Sequence, residues 1–384
     1  MKNIILARPN ISIGNFFSKK NSKNDNFNNK LYFKDGRSAL LWGLIKSGIK
    51  PGDTIIFPAY ICKSTLEPLI DFGINISFID IEMDLSLSIQ KLDIAIKESD
   101  AKAVIAVHYF GIINNLEKIK NLCKKYKVLL VEDCCHCFPN FFYENSKTNW
   151  GDFSYFSVRK FLPIIDGGIL INHNKNIVLL NQKTENLKIK ILLNSFKYVF
   201  VRLIEYFCSQ ILQVNIYSEK ITKIKLRIRS LILKKNKKEK SSCLPNMQAP
   251  SFFLKNYYKR PNLLEKIAKI RRRNYFILTY KLEKIGYKSF KSLKKDKLSV
   301  PQWWIYYDST KNLNKYLRTQ GIGSCCWPGE EMPETINSRL EDFPNTKKLS
   351  NSLCLIPIHQ SINNVDIKNI YLSLKEFTEM ESMA

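Results

Sequence analysis

The sequence predicts an α/β protein, with a three-layer, mainly parallel sheet in a large first domain and a smaller C-terminal α+β domain behind it. Three observations predict it. Short apolar runs alternate with helical patterns from about residue 36. The runs are continuously apolar, as strands covered on both faces must be. Beyond Asn172 the alternation gives way to long helical patterns, and weaker strand and helix signals close the chain.

Taken in order, Ser38 to Ile49 reads as a helix, and Pro51-Gly52-Asp53 turns the chain into the buried strand Thr54 to Pro58, which proline stops. Lys63 to Phe72 is a helix closed by Gly73, and Ile76 to Ile81 a strand. A helix over Ile89 to Ile96 precedes the apolar run Ala103 to Val107, which leads into His108-Tyr109-Phe110-Gly111. Leu116 to Tyr126 is helical, and Val128 to Val131 is a strand ending at Glu132-Asp133. Ligands of such sheets bind beyond the carboxyl ends of the strands. Pro58-Ala59-Tyr60, His108-Tyr109 and Asp133-Cys134-Cys135-His136 therefore share one rim and one site. We place the large domain at 1–245, including a basic amphipathic helical insertion at about 186–240, and the small domain at 246–384, which opens on a long helical pattern from Pro250 to Ile285.

A chain of 384 residues with 45% apolar and 12% aromatic side chains buries a sizeable core, which excludes a disordered or repetitive protein. Its net charge of +27 favours polyanions, including nucleotide-linked substrates and anionic headgroups. Nucleic acid is not expected as a partner, since no binding motif accompanies the charge. The ten cysteines read as reduced, packed thiols. No metal is expected at Cys134-Cys135-His136-Cys137, because adjacent cysteines do not easily share a tetrahedral ion. The N-terminal apolar stretch is broken by Arg8 and Pro9, too short for a signal or a span, so the expected location is cytoplasmic. Within the insertion, Phe196, Phe200, Leu203, Phe207 and Ile211 form one apolar stripe, and lysines and arginines crowd Ile221 to Ile232. Two readings stay open there: contact with the inner face of a membrane, and packing against the body or a subunit partner.

The segment with the most chemistry runs from Gly151 to Lys160 and on to Asp166-Gly167-Gly168. Ser157 stands three residues before Lys160, which suits a cofactor needing a Schiff base and a phosphate anchor. Asp133, at the end of a buried strand, is costly without a cationic partner, and a protonated pyridine nitrogen is one. The other reading of Asp133 is a helix N-cap.

These residues resemble the DegT/StrS-type sugar aminotransferases, fold type I enzymes of pyridoxal 5'-phosphate (PLP). The resemblance rests on Gly36-Arg37-Ser38-Ala39-Leu40, Gly48 through Pro58-Ala59-Tyr60, Ala103 through Gly111, Glu132-Asp133-Cys134-Cys135-His136, Ser157 to Gly168, and Leu355-Ile356-Pro357-Ile358-His359. It implies a PLP-transferase large domain in which Lys160 is catalytic and holds the cofactor. Asp133 would keep the pyridine nitrogen protonated, His136 would lie by the ring and its phenolic oxygen, and Ser157, Arg37 and Ser38 would bind the phosphate, the last two at a helix N-terminus. It implies amino transfer, with glutamate as donor, to a nucleotide-linked keto sugar in surface polysaccharide or glycolipid biosynthesis, by a homodimer. Relatives that dehydrate instead carry a histidine in place of the lysine. The alternative is a non-catalytic or regulatory protein on the same scaffold. The chain departs from the family at Tyr60-Ile61-Cys62, where an aromatic usually stacks on the cofactor, and its cross-subunit motif is only faintly echoed by Asn246-Met247-Gln248-Ala249.

Overall fold

The computed structural model describes residues 4–10, 30–137, 150–164, 167–174, 200–224, 260–293 and 299–383. The first domain is built on strands β1 (Lys30–Phe33), β2 (Thr54–Pro58), β3 (Asn75–Ile79), β4 (Ala103–Val107), β5 (Leu129–Asp133), β6 (Phe153–Ser157) and β7 (Gly168–Asn172), in the order β1-β7-β6-β5-β4-β2-β3. Every pairing is parallel except the two made by β7, so β7 alone runs against the other six. Helices α1 (Gly36–Lys46), α2 (Lys63–Phe72), α3 (Ile89–Ser99) and α4 (Glu117–Tyr126) lie in the connections. The predicted three-layer, mainly parallel α/β domain is what folds.

Local chemistry explains the boundaries. Helix α1 starts two residues before the predicted Ser38 because Asp35 caps it, its Oδ1 accepting the Ser38 amide at 3.0 Å and the Ser38 hydroxyl at 2.8 Å. Helix α2 ends where Gly73 takes φ +92°, a left-handed conformation that glycine adopts without penalty. Strands β4 and β6 are buried at every position, which is why their sequences are unbroken apolar or aromatic-and-serine runs.

The second unit holds the antiparallel pair β8 (Trp303–Tyr307) and β9 (Leu353–Pro357) with helices α5 (Pro261–Glu283), α6 (Leu313–Thr319), α7 (Pro344–Ser350) and α8 (Asn364–Met383). The expected domain boundary at 245/246 lies outside the described residues, as do residues 186–199 and 225–240 of the insertion. The N-terminal strap, residues 4–10, pairs with the second unit: Ile5 bridges Ile322 in parallel, and Ile5 and Gly323 exchange a backbone bond of 2.8 Å. Among the described residues no helix is long and apolar enough to cross a membrane.

His359 fastens the same strap. Its Nε2 donates to Leu6 O at 2.8 Å, and burial pulls its pKa down from 6.5 to about 3. The neutral form is the folded form, so this group's stabilising contribution is complete above pH 6.5 and is lost as pH falls toward 3. Burial depresses His136 and His173 in the same direction. We predict that urea stability falls below pH 6.5, each such histidine adding up to about 1.4 kcal/mol per pH unit. His359→Gln should flatten that slope by about one histidine's share, and an unchanged slope would refute the assignment.

Candidate active site

Beneath the rim lies a closed hydrogen-bond network. His108, just past β4, and Glu132, in β5, are fully buried and meet at 3.0 Å, Nε2 to Oε2. The other oxygen of Glu132 accepts the Gly151 amide at 2.6 Å, and His108 Nδ1 accepts the Asn114 amide at 3.1 Å. Nδ1 therefore carries no proton, and Nε2 donates to Glu132. Ligand atoms of His108, Glu132 and Cys134 lie within 4.8 Å of one another. A metal on Nε2 would need the ring proton on Nδ1, where it would face the Asn114 N–H, so this trio is a polar floor by its own hydrogen bonding.

Asp133 comes next on β5 and is 3% exposed. Its Oδ2 accepts the Tyr155 hydroxyl at 2.5 Å and its Oδ1 accepts the Cys135 amide at 2.8 Å. Each oxygen keeps a lone pair for a further donor. Burial first, then the Asp133 charge, holds the Tyr155 phenol well above its usual pKa, so it remains a donor. His136 is buried and its Nδ1 has no hydrogen-bond partner. Desolvation, with the Lys160 charge adding to it, drives the His136 pKa well down and leaves the ring neutral. Phe110 stacks on this imidazole at 5.2 Å and 26°, and Trp327 meets it edge-on at 4.7 Å.

Lys160 ends the single turn Val158–Lys160 that follows β6. It is half-buried, and its charge reaches both His136 and Cys135. The turn is fixed from behind: Phe161 O accepts from Gln360 Nε2 at 2.9 Å and from Arg271 Nη2 at 3.2 Å. Arg271 is buried among carbonyl groups, and that burial pulls its pKa down to about 9. Beside the turn, the start of α1 presses on the end of β6. A Cβ on Gly36 would stand 2.8 Å from Cys135 Sγ and 3.3 Å from Ser157 Cβ, so no side chain fits there.

The structure thus brings Lys160, Asp133, His136 and Ser157 to one rim, with the Arg37 end of α1 alongside. Arg37 shares Asp35, at 3.4 Å, and Glu67, at 3.6 Å. Ser38 donates both amide and hydroxyl to Asp35, and the amide is the donor that the family resemblance assigns to phosphate. Tyr60 offers no open face: it is wholly buried, and its hydroxyl donates to Trp327 O. Sequence reasoning missed Phe110, Tyr155 and Trp327. Tyr155 lies directly opposite Asp133 on the neighbouring strand. Trp327 had no local signal, since it arrives from the second unit.

Residues 28–189 match the model of the DegT/DnrJ/EryC1/StrS aminotransferase family. The chain's relatives include a GDP-4-keto-6-deoxy-D-mannose 3-dehydratase of Escherichia coli O55:H7, 28% identical over 36% of this chain and 36% of that protein. They also include a GDP-perosamine synthase of Vibrio cholerae, 26% identical over 38% of this chain and 40% of that protein. The chain thus matches less than half the length of these relatives. Among solved structures, the Escherichia coli GDP-4-keto-6-deoxy-D-mannose-3-dehydratase with bound hydrated PLP superimposes with a TM-score of 0.59 at 19% identity, over 91% of this chain and 88% of that one. In this chain the large-domain rim and the second unit meet at His136, where Phe110 and Trp327 enclose the ring.

Proposed function

We propose that this chain is a PLP-dependent aminotransferase moving an amino group from glutamate to a nucleotide-linked keto sugar. The observation that carries the reading is the meeting, at one strand rim, of the lysine Lys160, the buried acid Asp133 and the unpartnered Nδ1 of buried His136. These residues fit the cofactor. Asp133 has acceptor capacity for a protonated ring nitrogen, and His136 has a free nitrogen for the ring oxygen. PLP, when bound, supplies the electron sink that lets a proton leave the carbon bearing the amino group.

The chain's own groups do the rest. Lys160 holds the cofactor and then, as a free amine, carries the proton between carbon centres. Asp133 holds a proton on the ring nitrogen, and Tyr155 and the Cys135 amide fix the carboxylate for that task. Ser157 and Arg37 bind phosphate oxygens, and Ser38 joins them by exchanging Asp35 for phosphate. The relatives' names cover both amination and dehydration of GDP-linked sugars. Lys160 favours amination, because the dehydrating branch carries histidine there.

Surface polysaccharide or glycolipid biosynthesis is the setting this substrate class supports. The described part of the insertion exposes Phe200 (65%), Ile211 (61%) and Leu212 (55%), a face that supports a covered surface, either in a homodimer or at the inner face of a membrane. The test of the catalytic reading is the visible absorption spectrum of the protein with added PLP. A yellow band that glutamate bleaches and borohydride traps on Lys160 is expected. A folded protein without the band would point to the non-catalytic scaffold.

A further inference from the structure

Residues 200–211 are amphipathic in the sense opposite to that of a helix packed on a protein core. Residues 200–206 are helical and lead into the π-helical turn Phe207–Ile211. The polar side chains face the body. Arg202 Nη2 donates to Arg8 O at 3.2 Å and to Pro9 O at 3.1 Å, Gln210 Nε2 donates to Ile4 O at 2.6 Å, and Ser209 is fully buried with its hydroxyl on Tyr206 O. Just beyond, Asn215 Nδ2 donates to Arg318 O at 3.0 Å, and the Tyr217 hydroxyl accepts the Ala7 amide at 2.7 Å. The segment is therefore fastened to the strap and the second unit through hydrogen bonds. Its apolar side chains Phe200, Leu203, Ile204, Phe207 and Ile211, which share one helical face by their spacing, are exposed. A surface helix normally turns that stripe inward, so the inversion marks a face that something apolar covers.

Charge decides what covers it. The two acids of the described segment are already engaged, Glu205 by Arg202 at 2.5 Å and Glu219 by Lys315 at 3.7 Å. Lys220 and Lys223, exposed in the helical residues 219–224, have no carboxylate partner among the described residues. The sequence continues in the same sense, with eight Lys and Arg against one Glu from 225 to 240. A second copy of the chain would bring the same cations and the same engaged acids, so it offers apolar area without a counter-charge. A bilayer with anionic headgroups offers both. We propose that residues 200–224 dock the protein on an anionic lipid surface, with the apolar face at the boundary of headgroups and acyl chains and Lys220 and Lys223 on the headgroups. The segment lies on the bilayer and does not cross it. This docking goes beyond the catalytic reading and does not depend on it.

The test is co-sedimentation of the full chain with vesicles of phosphatidylcholine alone and of phosphatidylcholine mixed with phosphatidylglycerol, read beside the oligomeric state by light scattering. Wild type should bind the mixed vesicles about tenfold or more tightly than the neutral ones, and high salt should remove that preference. Lys220→Gln with Lys223→Gln should weaken binding to the mixed vesicles about tenfold or more. Lys118→Gln with Lys124→Gln, exposed lysines of α4, removes the same net charge elsewhere and should match wild type. Leu203→Ser, Phe207→Ser and Ile211→Ser together should weaken binding to mixed vesicles about a hundredfold or more. A wild type that stays in solution with the mixed vesicles overturns the proposal, as does an equal loss from the two lysine pairs. A serine variant that turns a dimer into a monomer and still binds vesicles also overturns it, and identifies the face as a contact between copies. Melting curves separate these results from misfolding, and Phe207→Ser alone, at an exposed position, keeps the test decisive if the triple variant does not fold. The cofactor band and its bleaching by glutamate should be the same in every variant. A wild type without the band that binds vesicles as described would leave the docking face standing while the catalytic reading falls.

Discussion

Lys160→Ala should lower the rate of amino transfer by about 10³-fold or more, the size expected when a positioned acid–base group is removed and covalent attachment is lost with it. The fold should survive. Lys160 is half-buried at the end of a turn that is held by Phe161 O and its two donors, Gln360 and Arg271, so alanine leaves that scaffold in place. A stability change within about 1 kcal/mol is expected, as for most substitutions outside a packed core. Steady-state turnover in the proposed reaction, with glutamate and a nucleotide-linked keto sugar, read beside a melting curve, measures both. Partial recovery on adding methylamine would identify the missing group as an amine. A variant that keeps more than about a tenth of the wild-type rate would remove Lys160 from the chemistry.

Glu132→Ala carries the largest expected cost to stability. Glu132 is 0% exposed and receives two donors, His108 Nε2 and the Gly151 amide. Truncation strands both in the core at about 1–3 kcal/mol each, and removing one member of a buried pair costs about 3–5 kcal/mol in all. Glu132→Gln keeps the volume and one acceptor and should cost roughly half as much. The loss should also reach the site, since Asp133 follows directly on β5 and its Cα pairs with Tyr155 across the sheet. Urea unfolding of the three proteins checks the ranking. A cost below about 1 kcal/mol for the alanine variant would mean that water replaces the carboxylate, and that the His108 network is not the floor described here.

Much of this protein was determined by its sequence alone, because the signals involved are local. Continuous apolar runs mark the buried strands β2, β4 and β5, and Pro51-Gly52, Gly73 and the acid pair Glu132-Asp133 punctuate them at the right places. The rim that carries Tyr60, His108, Asp133 and His136 followed from strand direction, which a parallel sheet imposes on every strand end alike. Strand β1 was not visible, since Lys30–Phe33 is only four residues long and becomes a strand by pairing with the distant, reversed β7. Nor was the capture of the Ser38 donors by Asp35 read in advance, although the N-cap spacing was present in the sequence. Tertiary structure alone decided that residues 4–10 fasten onto the second unit and that Trp327 closes over His136. The physical reason is the same for both. Periodicity reports which face of a segment seeks burial, whereas the partner that buries it is chosen by contacts between segments hundreds of residues apart, about which no local pattern carries information.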